Sequence, residues 1–175
     1  MMESKKIIWK VDAAHSEFTF KVKHMMISTM GGEFGKFDVT AETKGNDFTD
    51  ADIQVEVEVD SIVTKNSDRD AHLKSDDFFN AEKHPLITFK SKSFDGETLV
   101  GDLTIRDVTL EVSLDVEFNG IAVDPYGQTK AGFELTGAIN RKEFGLKWNA
   151  VTEAGNVVVS DKVKLEVNVQ LVKQA

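Results

Sequence analysis

Cysteine is absent from these 175 residues. Disulfides, thiolate nucleophiles and cysteine-ligated metals are therefore excluded together. Basic residues are scarce as well, 21 against 30 acidic ones, for a net charge of -9. Such a surface repels a phosphate backbone, so nucleic acid is not an expected partner. No apolar stretch approaches the roughly 20 residues that cross a bilayer as a helix. Met1 to Lys10 holds only Ile7, Ile8 and Trp9 between Lys6 and Lys10, which does not make a secretory hydrophobic region. A cytoplasmic protein is expected, with the periplasm as the alternative if a leader has been removed. There is no glycine-rich phosphate loop, Walker pattern or dinucleotide fingerprint. The length suits a single domain over residues 1–175 and is short for two.

What the chain has instead is alternation. Ile53-Gln54-Val55-Glu56-Val57-Glu58-Val59-Asp60 is its purest instance, and comparable runs, each about eight to eleven residues long, recur about eight times. Such runs are strands with one dry and one wet face. So many in succession leave no room for a covering layer of helices, and the sheet must bury its dry face against itself. The fold class is all-β, an extended eight-stranded antiparallel β-barrel with an apolar interior.

The first predicted strand covers Ser16 to Lys23 and turns Phe18, Phe20 and Val22 to one face. Met25, Met26, Ile27 and Met30 then break the period before Gly31-Gly32. They suit an adaptable contact, either core filling at a barrel end or a ligand mouth. The second strand, Gly35 to Glu42, points Phe37, Val39 and Ala41 inward, and the third, Ile53 to Val63, does the same with Val55 and Val57. The fourth begins at Leu86 with Ile87 and Phe89 inward, and Asp95-Gly96 turns it into the fifth, Leu99 to Ile105, with Leu103 inside. The sixth runs from Val108 to Phe118 through Leu114 and Val116. Asn119-Gly120 and Asp124-Pro125-Tyr126-Gly127 then bracket a long hairpin connection. Phe133 and Leu135 belong to the seventh strand, Ala131 to Ile139, and Val167 to the eighth, Val163 to Leu171; Gly145 to Gly155 reads as a loop or irregular strand.

One stretch refuses the period of two. Ser67 followed by Asp70 is a weak capping-box analogue, and a short helix over about Asp68 to Lys74 is predicted between strands three and four. Ser75 to Phe79 continues it as a second capped turn presenting two rings, placed to close one barrel end.

Few residues invite chemistry. His15, His24, His72 and His84 show no metal-binding spacing, and a structural role is the default for each. Ser16 with Asp70 and His72 lacks the strained elbow of a nucleophile. Glu56 and Glu58, like Glu42, Glu111 and Glu117, alternate with inward residues on solvated faces, where paired carboxylates do no acid/base work. Asp47, Asp50 and Asp52 lack the glycine and terminal glutamate of a calcium loop. The interior remains. A ten-residue strand spans about 33 Å, so eight of them enclose a long, narrow, oily tube. Its inward set mixes phenylalanines with Ala41, Gly101, Ala131 and Gly137. A strand glycine marks either a bend or the close approach of a ligand. Barrels of this size are filled in some folds and hold one small ligand in others, and both states stay open.

Several segments resemble the YceI-like family: Trp9-Lys10-Val11-Asp12 with His15-Ser16, His24 to Thr29, Asp68 to Leu73 with Asp77-Phe78-Phe79, and Pro85 to Phe89. Gly101 to Thr104, Asp124 to Gly127, and Asn140-Arg141 with Phe144-Gly145 extend the likeness over about Trp9 to Val172. The resemblance implies a lipocalin-like barrel holding a polyisoprenoid or comparable long lipid, a non-catalytic bacterial protein that carries or stores an isoprenoid, such as a quinone tail, and forms a homodimer. It implies no cofactor and no metal. Two departures stand out. Many relatives carry a secretory leader that this chain lacks, and the family's Gly-Val-Thr-Lys-Pro-Val is here Asp107-Val108-Thr109-Leu110-Glu111-Val112, without the basic residue.

His15, Arg69, Asp70, His72, Asn140 and Arg141 match family motifs. Arg69 and Asp70 are expected to fix the helix to the barrel rim, with Leu73, Phe78 and Phe79 closing the lumen. Ligand contact is expected from Phe18, Phe20, Val22, Phe37, Val39, Val55, Val57, Phe89, Leu103, Leu114, Val116, Phe133, Leu135 and Val167, together with those three closing residues. The partner is then a long-chain isoprenoid or fatty-acid-like lipid. Two alternatives are an enzyme acting on a lipid head group, which needs His15, His72 and Asp70 to converge, and a filled, ligand-free interaction module.

Overall fold

The computed structural model describes residues 6–148 and 159–174. Its strands are β1 (Lys6–Val11), β2 (Glu17–His24), β3 (Ser28–Phe34), β4 (Phe37–Lys44), β5 (Asp47–Glu58) and β6 (Ile62–Val63), followed by the helix α1 (Ser67–Lys74). Then come β7 (Leu86–Phe94), β8 (Thr98–Ile105), β9 (Val108–Val123), β10 (Thr129–Asn140) and β11 (Val159–Lys173). All pairings are antiparallel, and β1 pairs with both β4 and β11, so the sheet closes on itself.

Eleven strands make eight walls because three walls are broken. The long β11 pairs with β2 through Val159–Asn168 and with β1 through Leu171–Lys173, so β1 and β2 are two halves of one wall. A short 3-10 turn at Ala13–His15, capped by the Asp12 side chain, separates them. β3 and β4 form the next wall with a break at Gly35-Lys36, and β5 and β6 the third, broken by a 3-10 turn at Val59–Ser61. The uninterrupted third strand expected over Ile53 to Val63 is thus corrected: beyond Glu58↔Leu86 that wall leaves β7, and α1 with residues 75–85 fills the gap. Asn66 caps α1 by accepting from the Arg69 N–H at 3.0 Å.

Two further expectations change. Asn119-Gly120 is no turn: β9 continues to Val123, and only Asp124–Gly127 turns the chain. Asn119 is instead the extra residue of a β-bulge between the pairs Phe118↔Phe133 and Gly120↔Gly132, where Gly120 adopts φ +107°. The inward glycines answer to neighbouring side chains. A Cβ on Gly101 would stand 2.4 Å from the Phe89 ring, one on Gly137 would stand 2.5 Å from Leu114, and one on Gly32 would stand 2.4 Å from Phe20. Side chains lie across all three positions, and at Gly101 and Gly137 this packing replaces the expected bend or ligand approach. Residues 149–155 of the expected irregular loop lie outside the described residues.

Charged residues such as Glu56, Glu58, Lys90 and Glu111 lie outside, and Val57, Phe89, Leu103 and Phe133 lie inside. That polarity is the inverse of a membrane-spanning barrel. The two ends differ. At the hairpin end, where residues 45–46, 95–97 and 124–127 turn, Trp9 is 0 % exposed and donates its indole N–H to Thr43 Oγ1 at 2.9 Å. Its ring and those of Phe48, Phe118 and Phe133 form one cluster with centroid separations of 4.9 to 5.9 Å. At the helix end, α1, residues 75–85 and the 3-10 turn Arg141–Phe144 cover the opening.

The same end carries the turn between β2 and β3. Met25 and Met26 sit at φ +51° and +59°, and Ile27 N–H donates to His24 O at 3.2 Å. Left-handed backbone at a non-glycine residue costs about 1–3 kcal/mol, yet both methionines are exposed. They are neither core filling nor the wall of the cavity.

Candidate functional site

A cavity of about 250 Å³ runs inside the barrel. Every residue expected to touch a ligand lines it except Phe37. Phe37 starts β4 just after the Gly35-Lys36 break, and there its ring packs on Phe18 with centroids 4.4 Å apart. Phe18 lines the lumen, and Phe37 packs on it without reaching the cavity wall. Phe18, Phe20, Val22, Leu114, Val116, Leu135 and Val167 are only half-buried, because their inner faces meet the void.

The wall also includes residues that sequence reasoning missed. Ile53, Leu99, Ile105, Val112, Val163 and Leu165 share strand phase with expected lining residues, and the alternation alone could have found them. Phe48, Phe94 and Leu146 lie beside turns where no period carries a signal.

Among the described residues, only three that line the cavity carry polar side chains: Thr19, Thr88 and Arg141. The Thr19 hydroxyl donates to Glu166 O at 2.7 Å. Arg141 is 3 % exposed, and its guanidinium donates to four carbonyls, Ser160 O at 3.0 Å, Leu146 O at 2.6 Å, Trp148 O at 2.8 Å and Val159 O at 3.3 Å. Burial lowers its pKa and the Asp161 charge raises it in part. Arg141 therefore staples the turn after β10 to the start of β11, and its stem faces the cavity. A ligand in this lumen meets carbon almost everywhere.

The helix-end cover is held by side-chain to backbone bonds. Asp70 accepts from the Thr64 N–H at 2.9 Å, while Arg69 donates to Thr64 Oγ1 at 2.8 Å and to Thr64 O. Arg106 donates to Asp76 O, Phe78 O and Gly145 O at 3.1 to 3.4 Å and pairs with the Asp76 carboxylate at 3.2 Å. Beneath it Phe78, His72 and Trp148 pack as one aromatic group, and Phe79 meets Phe34.

The residues needed for chemistry have separate partners. His15 Nδ1 meets Asp12 at 2.8 Å and His72 Nε2 meets Asp77 at 2.8 Å, whereas Asp70 serves Thr64. Ser16 donates to Asp12 O and accepts from the Gln170 N–H. Asp47 accepts from the Thr49 N–H, as a turn residue does. Among the described residues, no group of three or more histidine or acidic side chains is arranged to hold a metal.

Comparison with known proteins places this geometry. The YceI-like domain matches residues 9–171. A UPF0312 protein of Staphylococcus aureus is 42 % identical over 160 residues, covering 91 % of this chain and 94 % of the relative. The crystal structure of a Campylobacter jejuni YCEI protein superposes with a TM-score of 0.72 at 32 % identity, covering 100 % of both chains. A polyisoprenoid binding domain from Saccharophagus degradans shares the fold with a TM-score of 0.72 at 13 % identity, covering 95 % of this chain and 98 % of that one.

Proposed function

Since the chain belongs to the YceI-like family, we propose that it is a non-catalytic binding protein that stores or carries a long-chain apolar lipid in its lumen, a polyisoprenoid or the tail of an isoprenoid quinone. One observation carries the reading: a cavity of about 250 Å³ walled by aliphatic and aromatic side chains, whose buried arginine is already occupied by backbone carbonyls. The S. degradans domain, described as polyisoprenoid-binding, supports the ligand class. Each buried CH2 contributes about 0.8 kcal/mol, so affinity needs no polar anchor. Selectivity then follows from the width and length of the tube. At about 250 Å³ the cavity lies just below the roughly 300–1,000 Å³ of drug-sized pockets.

Native mass spectrometry and organic extraction of freshly purified protein test the reading. Bound lipid is expected, and added quinone should raise the melting temperature. Val167→Trp, which fills the half-buried wall, should abolish both effects while the protein stays folded; Glu56→Lys on the outer face should abolish neither. A protein with no extractable lipid and no quinone protection is a filled module, and the reading falls.

A further inference from the structure

The β2–β3 turn carries two costs and shows no structural return for either. Met25, Met26 and Ile27 are 37 %, 64 % and 82 % exposed, and both methionines take left-handed backbone that asparagine and glycine adopt far more readily. Behind the tip, β3 pairs on its far side among the described residues only through Glu33 and Phe34, and Arg69 meets Met30 across the rest of that edge at 3.8 Å. The tip is apolar and exposed.

Charge collects on the same arm. Between Glu17 and Glu33 there is no acidic residue, while Lys21 and Lys23 point outward. On the adjoining strand Lys162 and Lys164 are exposed, and Lys164 stands directly across from Lys21. Like charges in register destabilise a sheet. Glu166 answers Lys21 at 3.1 Å, and the nearby Asp161 is engaged by Lys142 at 3.3 Å. Among the described residues, Lys23, Lys162 and Lys164 have no ion-pair partner, so a chain of net charge -9 gathers positive charge beside a strained apolar turn.

We propose that this arm docks on an anionic lipid surface, with Met25, Met26 and Ile27 entering the boundary between head groups and acyl chains and Lys23, Lys162 and Lys164 lying against the phosphates. Three side chains on a two-stranded tip are too few for a protein interface, which needs about 800 Å² on each partner. They suit a soft medium, where flexible methionine adapts and apolar insertion adds to electrostatic attraction. The acidic remainder of the surface is repelled by the same bilayer, which leaves this arm as the approach. Docking is independent of what the lumen holds, yet the inner side of the arm, Phe18, Phe20 and Val22, is lumen wall.

Flotation with vesicles tests it, using phosphatidylcholine containing roughly one-third phosphatidylglycerol against phosphatidylcholine alone. The full chain should float with the anionic vesicles and release as salt rises. Met25→Asn with Met26→Gly and Ile27→Ser suits the turn better than the natural residues. It should bind at least about tenfold more weakly, with its melting temperature unchanged or raised and the same lipid extracted from its lumen. Lys162→Gln with Lys164→Gln should weaken binding to anionic vesicles only. Equal binding by the tip variant, failure of the unmodified protein to float at low salt, or loss of an oligomer in the tip variant instead of loss of flotation overturns the proposal. A protein that floats but yields no lipid would overturn the lumen reading and leave docking in place.

Discussion

The two ends of the barrel are closed in different ways. At the hairpin end the sheet seals itself, with Trp9, Phe48, Phe118 and Phe133 projecting from four strands into one cluster. At the helix end the backbone is irregular and is tied down by arginines and an aspartate that reach carbonyls and amides. A ring cluster loses its packing all at once. A set of tethers can be released one by one, so the helix end is the one that opens with least disruption.

The sharpest way to break this contrast is Trp9→Ala. Loss of a wholly buried ring and its hydrogen bond should cost about 3–5 kcal/mol, read as a fall in urea midpoint for the whole domain. Arg141→Leu comes next, at roughly 3 kcal/mol, because it strands carbonyls that water reaches poorly. If it costs nothing, Arg141 is not the staple described. Gly101→Ala sets a methyl 2.4 Å from Phe89 and 2.6 Å from Lys90 O. Overpacking of this kind costs about 1–3 kcal/mol, and as a wall change it should touch both ends alike.

Arg106→Ala is the discriminating variant. It removes the tether on Asp76, Phe78 and Gly145, and should cost about 1 kcal/mol globally. Amide exchange should accelerate over residues 75–81 and lipid should release faster, with the hairpin end unaffected. Uniform acceleration across the barrel would erase the distinction between the ends.

The smallest effect lies on the shared wall. Glu134 stands directly opposite Glu117, and that contact raises its pKa. The folded state therefore binds its proton more tightly than the unfolded chain does. Stability from this group is present at low pH and is lost as pH rises through the raised value. Glu134→Gln should flatten that part of the pH profile. Asp12 behaves oppositely: Lys130 and His15 lower its pKa, so its contribution is lost as pH falls through the folded value.

The lumen wall was legible wherever alternation ran unbroken, as at Phe18, Phe20 and Val22 or Leu114 and Val116, because a period of two fixes which side chains share a face. The helix was legible from the break in alternation over Ser67 to Lys74, but its cap is Asn66 and not the expected Ser67. β1 was missed because Ile7 and Ile8 are adjacent and blur the phase over only six residues. β3 was missed because Gly31 and Gly32 have no side chains to show one. Whether the tube is hollow depends on where rings lean, and Phe20 and Phe89 fill the space above Gly32 and Gly101. Arg106 and Arg141 bond to carbonyls, which every residue has, so no spacing of side chains announces their roles.

The ring is closed by its first and last described strands, Trp9 standing opposite Lys173. During synthesis that pairing waits for the final strand to leave the ribosome, while seven walls already expose their dry faces. A barrel of this connectivity matures late. If the proposed lipid is present at that moment, folding itself would enclose it and no gate would be needed for its first entry. Joining the ends and reopening the chain at Asp124–Gly127 would move the closing seam to β9 and β10 and change when that enclosure occurs.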